Sequence, residues 1–160
     1  MGAGRERSEG SMGKASGTEP ALVSACLLGL RTRYDGQSRP SPAARAALAG
    51  YTPIPVCPEQ LGGLATPREP AECRGGTGSQ VLDGEARVID RTGRDVTAQF
   101  VAGARAVLRI ARLTGARCAL LKERSASCGV SEVYRDGQLQ SGMGVCAALL
   151  KRAGVEVRGF

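Results

Sequence analysis

The run Ala21–Leu28 (Ala-Leu-Val-Ser-Ala-Cys-Leu-Leu) constrains the fold more than any other stretch of this chain. It is short, apolar and almost without alternation. That pattern fits a strand covered on both faces, the habit of parallel sheets. A parallel partner needs a crossover, and the next residues supply one. Gly29–Pro40 is a polar loop, and Ser41 followed by Pro42 is a helix start. Pro42–Ala49 reads as an alanine-rich helix stopped by Gly50, and Thr52–Cys57 as a second strand. The result is a strand–helix–strand unit with a right-handed crossover expected.

The same alternation returns later in the chain. Val96, Phe100, Val101, Ala104, Val107, Leu108 and Ala111 form an apolar stripe at helical spacing over Asp95–Thr114, with Asp95 as cap and Gly115 as stop. Ala119–Leu121 then reads as another buried strand. Val145–Arg152 reads as a helix, with Gly154 as its stop and Val155–Val157 as a last strand. The Asp83-Gly84 pair within Gln80–Ile89 is a hairpin signal, and Arg135-Asp-Gly within Glu132–Leu139 is a second turn. The predicted fold is one α/β domain over residues 20–160: a mostly parallel Rossmann-like sheet with flanking helices and a β-hairpin insertion. Residues 1–19, rich in Gly, Ser and charge, are predicted to be a disordered tail. At 160 residues and 42% hydrophobic, the chain supports a single core.

Composition narrows the chemistry. The chain has no histidine, so the commonest general base and the commonest zinc ligand are both excluded. No apolar run is long enough to span a membrane, and the start of the chain has no signal-peptide core. The expected compartment is the cytoplasm, where structural disulfides are rare. The six cysteines are then fillers, ligands or nucleophiles. Net charge is +7, which admits RNA as a partner, but aromatics are only 3% and the arginines are scattered. A solvated basic surface is the plainer reading.

Three of the cysteines share one address. Cys26 ends the first strand, Cys57 ends the second, and Cys128 lies in the loop beyond the third. In an open parallel sheet the carboxyl ends of the strands line one edge, where ligands bind. Pro55 and Pro58 restrict the backbone around Cys57, and the long Leu61–Gly78 segment that follows is rich in Gly and Pro. Cys118 and Cys146 read as core fillers, and Cys73 is open. Three thiols without histidine suit an iron–sulfur cluster or a zinc ion with an open position. There is no C-x-x-C pair, so a thiol nucleophile and buried structural cysteines remain alternatives. Glu59 stands two residues beyond Cys57, where it could move a proton. Ser125 and Ser127 approach Cys128, Lys122 and Arg124 add positive charge, and Arg33, Tyr34 and Asp35 project from the loop after Cys26. Gly142-Met-Gly144 opens a helix whose N–H groups could meet an anion.

These pieces resemble the thiouracil desulfurase (TudS) type family, a bacterial family. The matching residues are Val23-Ser-Ala-Cys-Leu-Leu-Gly29, Arg33-Tyr-Asp-Gly36, Pro55-Val-Cys-Pro-Glu59, Gly62-Gly-Leu64, Pro67-Arg-Glu-Pro70, Val81-Leu-Asp-Gly84, Gly93-Arg-Asp-Val-Thr97, Arg124-Ser-Ala-Ser-Cys-Gly129 and Ala147-Ala-Leu-Leu150. They run in order over nearly all of Ala21–Val157. The resemblance implies a 4Fe–4S cluster held by Cys26, Cys57 and Cys128. It implies non-redox removal of sulfur from a thiolated pyrimidine such as 2-thiouracil, giving uracil and hydrosulfide, with the substrate sulfur on the unligated iron. Glu59 maps onto the family's catalytic glutamate as proton carrier, and Ser125 onto its serine. Arg124, Ser127 and Asp35 are the candidate substrate contacts. Glu123-Arg-Ser-Ala126 departs from the family pattern, which has Ser before the Arg and Pro after the Ser. The competing expectations are a thiolated-tRNA desulfidase and a non-catalytic iron–sulfur or redox-sensing module.

Overall fold

A computed structural model describes residues 17–160. The expectation for the tail falls mostly on residues outside that range. The strands are β1 (Glu19–Ser24), β2 (Tyr51–Val56), β3 (Ala71–Arg74), β4 (Arg87–Asp90), β5 (Cys118–Leu121), β6 (Glu132–Arg135), β7 (Gln138–Ser141) and β8 (Glu156–Gly159). The helices are α1 (Pro42–Ala47), α2 (Pro58–Leu61), α3 (Gly78–Leu82), α4 (Thr97–Thr114) and α5 (Val145–Arg152).

The main sheet has strand order β2-β1-β5-β8, with all three pairings parallel. β1 is central and its side chains alternate between two cores. Leu22 packs on the face covered by α4 and α5, whereas Ala21 and Val23 pack on the face that includes Ala44 of α1. All three residues are fully buried, which explains the uninterrupted apolar pattern. β2 is an edge strand, so Pro53 and Pro55 cost it little pairing. Asp95 accepts the Thr97 N–H at 2.9 Å from just outside α4, whose N-cap residue is Val96 and not the expected Asp95, and Gly115 closes the helix in the left-handed region. The parallel sheet and its flanking helices are as expected. Among the described residues no helix is long and apolar enough to cross a membrane.

Three local expectations are corrected. The run Ala21–Leu28 is not one strand: β1 stops at Ser24, and Ala25–Leu28 forms a 3₁₀ turn closed by Gly29 at φ 91. The Gln80–Ile89 hairpin does not form. Thr77 and Gln80 make a capping box that starts α3, and Gly84 (φ 77) lies just past Asp83, the C-cap, so the Asp-Gly pair stops a helix instead of turning a hairpin. The Gly-rich Leu61–Gly78 segment is not all loop, because it contains β3. β3 pairs antiparallel with β4 and meets β6 through Cys73 and Arg135, and β6 and β7 form the hairpin turned at Arg135-Asp-Gly. A second, mixed sheet of order β4-β3-β6-β7 therefore stands where one hairpin insertion was expected.

Cys73 belongs to the core of this second sheet and is fully buried. Burial pushes its thiol up from 9.0 to about 11. A group whose pKa rises on folding holds its proton longer in the native chain. Its contribution is therefore complete below pH 9 and is lost as pH climbs through about 11. Burial shifts Cys118 and Cys146 the same way. Urea-unfolding midpoints of the reduced chain are expected to fall across that window, and Cys73→Val is expected to flatten the fall. A Cys73→Val slope equal to the parent's would show that this thiol takes no part.

Candidate active site

Because β1, β2 and β5 are parallel neighbours, they end on one edge. The segments that leave them enclose a cavity of about 640 Å³. Its wall includes Cys26 from the 3₁₀ turn, Cys57 from the end of β2, and Cys128 from the loop after β5. Cys57 is near enough to the other two for its charge to push both thiols up. Burial is the larger cause in each case. It raises Cys128 to about 12 against hydrogen bonds from Ser24 and Ser127, and raises Cys26 against the opposing charges of Lys122 and Arg33. Burial also depresses the Lys122 ammonium, which donates to the Glu123 carbonyl at 2.9 Å.

Each thiol is placed by its own local device. Cys57 is the N-cap residue of α2, with extended φ −130, and Pro58 follows at the first helical position. α2 lies so close on α4 that a Cβ on Gly62 would collide with the Gln99 carbonyl, and one on Gly103 with the Pro58 carbonyl. That crossing fixes Glu59, which rides on α2. The Cys128 loop is anchored from two sides. The N–H groups of Val145, Cys146 and Ala147 at the start of α5 bind the Ala126 and Ser127 carbonyls at 2.9–3.1 Å. The Glu123 carboxylate accepts the N–H groups of Val130, Ser131 and Glu132 at 2.9–3.2 Å. The helix start at Gly142-Met-Gly144 thus serves packing: its free N–H groups are spent on the loop, so it is not an anion site.

The polar residues form one connected row. Glu59 Oε1 accepts from Arg68 Nε at 3.2 Å, and Glu59 Oε2 accepts from the Ser127 hydroxyl at 3.1 Å. Ser127 and Ser125 share a hydroxyl–hydroxyl bond of 3.0 Å, and Ser125 Oγ also accepts the Cys128 N–H at 3.1 Å. Ser127 is 1% exposed, whereas Glu59 and Ser125 are half-buried, so the row runs from the cavity wall to a hydroxyl behind it. Ser24 Oγ accepts the Lys122 N–H at 2.9 Å, joining the ends of β1 and β5 beneath Cys128.

The structure brings Cys26, Cys57, Cys128, Glu59, Ser125, Ser127 and Arg124 to one wall. Arg124 holds φ 64 and pairs with Glu132 at 3.6 Å at the start of the loop. Asp35 is not part of the wall. Its carboxylate pairs with Arg33, which is, at 3.2 Å, and accepts the Gln37 N–H. Cys73, Cys118 and Cys146 stand outside the lining. Arg68, Ser24 and Thr32 are among the wall residues that sequence reasoning passed over as site groups, as are Arg39, Glu72 and Arg91. The signal for Arg68 was its place between Pro67 and Pro70 in a long loop.

The donor set can be tested against a metal group. Among the described residues, no three His, Cys, Asp or Glu side chains converge on a single ion. A lone zinc with Zn–S near 2.3 Å would need its sulfurs within roughly 4 Å of each other. The three thiols line a cavity of about 640 Å³ without closing on one point. Six cationic side chains in the lining, Arg33, Arg39, Arg68, Arg91, Lys122 and Arg124, face three anionic ones, Glu59, Glu72 and Glu123. That balance favours bound thiolates. The wall fits a thiolate-held polynuclear cluster better than it fits a single ion.

Comparison with known proteins points the same way. A family model described as 2-thiouracil desulfurase matches residues 21–159. The uncharacterized protein YbbK of Bacillus subtilis (strain 168) is 44% identical over 139 residues, spanning 85% of this chain and 92% of its own. A solved structure of the 4Fe–4S-dependent thiouracil desulfidase TudS (DUF523Vcz) superposes with a TM-score of 0.76 at 42% identity, covering 88% of this chain and 90% of that one.

Proposed function

The chain belongs to the 2-thiouracil desulfurase family, and from that premise we propose that it removes sulfur hydrolytically from a thiolated pyrimidine, with Cys26, Cys57 and Cys128 holding a 4Fe–4S cluster. The observation that carries this reading is the meeting of three thiols from three segments in one cavity with Glu59 in its wall. When bound through three thiolates, such a cluster supplies a Lewis-acidic iron open to a soft sulfur ligand.

The balance of the reaction sets the work left to the protein. The oxygen of one water forms the new bond to the thiocarbonyl carbon, the carbon–sulfur bond breaks, and sulfur leaves as hydrosulfide. No electrons are exchanged with an outside partner; of the two protons the water loses, one ends on the departing sulfur as hydrosulfide and the other goes to solvent. Glu59 carries them in a chain without histidine. Its Oε2 is the oxygen that accepts a water proton, and Ser127, 3.1 Å away, passes protons along the hydroxyl row to Ser125. Ser125 also orients the pyrimidine by a hydrogen bond to its ring edge, and Ser127, buried behind the wall, acts on the substrate through Ser125 and Glu59. Arg124 contacts the substrate at the entrance, and Asp35 acts on it through Arg33, which it holds in place. Arg33 and Lys122 supply positive charge beside Cys26.

Anaerobic incubation of the cluster-loaded protein with 2-thiouracil is expected to yield uracil and hydrosulfide in equal amounts. Absence of hydrosulfide from protein with full iron and sulfide content sinks the reading. Running thiolated tRNA in parallel tells a free base from a base carried on RNA.

A further inference from the structure

Arg68 lies in the segment joining α2 to β3 and is unassigned by the chemistry above. Its side chain is 7% exposed. A guanidinium has five N–H donors in a fixed plane, and here each has a partner. Nε donates to Glu59 Oε1 at 3.2 Å. Nη1 donates to the Ala65 carbonyl at 3.2 Å and to Thr66 Oγ1 at 2.9 Å. Nη2 donates to the Thr32 carbonyl at 2.9 Å and approaches Cys57 Sγ at 3.9 Å. With its donors spent inside the protein, Arg68 has none left for a substrate.

Glu59 has two oxygens with different neighbours. Oε1 faces Arg68, and Oε2 faces Ser127 and the hydroxyl row. A carboxylate held only at Oε2 can rotate about its terminal torsion, which is soft. One held at both ends cannot. We propose that Arg68 is a positioning residue that pins Oε1 of Glu59, so that Oε2 alone is presented to the cavity and its serine hydroxyls. The Thr32 carbonyl ties the same guanidinium to the loop after Cys26, so one side chain sets Glu59 against two of the three thiol-bearing segments. Lysine cannot substitute, because an ammonium is a point charge with three donors and cannot span Glu59, Thr32 and Thr66 together.

The inference rests on the desulfuration reading, and its test separates the two. Arg68→Lys and Arg68→Met are compared with the parent for iron and sulfide per chain, kcat and KM, alone and combined with Glu59→Gln. Misplacing a catalytic group by about an ångström costs on the order of 10²-fold. The expected result is a fall in kcat of roughly that size for Arg68→Lys, with KM within about threefold and cluster content unchanged. In the Glu59→Gln background the same change is expected to cost less than about threefold, because the group being positioned is gone. Arg68→Lys turnover equal to the parent's overturns the inference. So does an equal loss with and without Glu59, or iron lost in step with turnover, since either makes Arg68 scaffold alone. An inactive parent brings down the desulfuration reading and this inference with it, whereas an active parent with indifferent Arg68 variants brings down this inference only.

Discussion

Glu59→Gln is expected to lower turnover with 2-thiouracil by about 10²–10⁴-fold, the usual worth of a positioned proton carrier. The substitution keeps the shape of the side chain. The amide can still accept the Ser127 hydroxyl if its oxygen takes the place of Oε2, and α2 still rests on α4 through Gly62 and Gly103. What it removes is an atom able to take and return a proton. No histidine exists elsewhere in the chain to replace it. Iron, sulfide and the visible spectrum are therefore expected to match the parent while steady-state hydrosulfide release collapses. Turnover at the parental rate would remove Glu59 from the reaction. A loaded protein that is inactive with or without Glu59 would favour a sensing module over an enzyme.

Cys57→Ala is expected to abolish both cluster binding and activity, with little change in fold. Of the three cavity thiols, Cys57 is the one that is only half-buried, whereas Cys26 is 8% and Cys128 4% exposed. Removing its sulfur leaves a smaller packing defect than removing either of the others. The loss of iron can then be attributed to a missing ligand and not to unfolding. Iron analysis after anaerobic reconstitution is the measurement, with far-ultraviolet circular dichroism and thermal midpoint as controls. Cys73→Ala is the counterpart: that thiol sits in the second sheet, away from the cavity, and full iron content is expected. Iron at parental levels in Cys57→Ala would break the three-thiol assignment.

The parts of the fold readable from sequence were those with a two-sided or helical apolar pattern. β1 and β5 are buried on both faces, and α4 and α5 carry apolar stripes, so each announced itself locally. Parallel neighbours then placed Cys26, Cys57 and Cys128 on one edge without any knowledge of contacts. The second sheet was not readable in this way. β3 has four residues in a glycine-rich stretch, and it joins β6 through a single registered pair. Nothing in four residues separates such a strand from a loop. Asp83-Gly84 misled because the same pair serves a hairpin turn and a helix stop, and the deciding signal lay upstream in Thr77 and Gln80. Arg68 escaped notice as a site group because its partners Thr32, Cys57 and Glu59 are assembled only by the tertiary fold. Asp35 projects from the loop after Cys26, yet its carboxylate pairs with Arg33 and it is not among the residues that line the cavity.

No two cavity thiols are neighbours along the chain; they arrive on a turn, a helix cap and an anchored loop contributed by three separate strands. An unfolded polypeptide therefore offers no chelating hairpin on which iron could gather. If these thiols hold the proposed cluster, loading comes after architecture, onto a chain that already stands on its own two cores. The empty state is then held together by the hydrocarbon packing around Leu22 and Phe100 and not by the cargo.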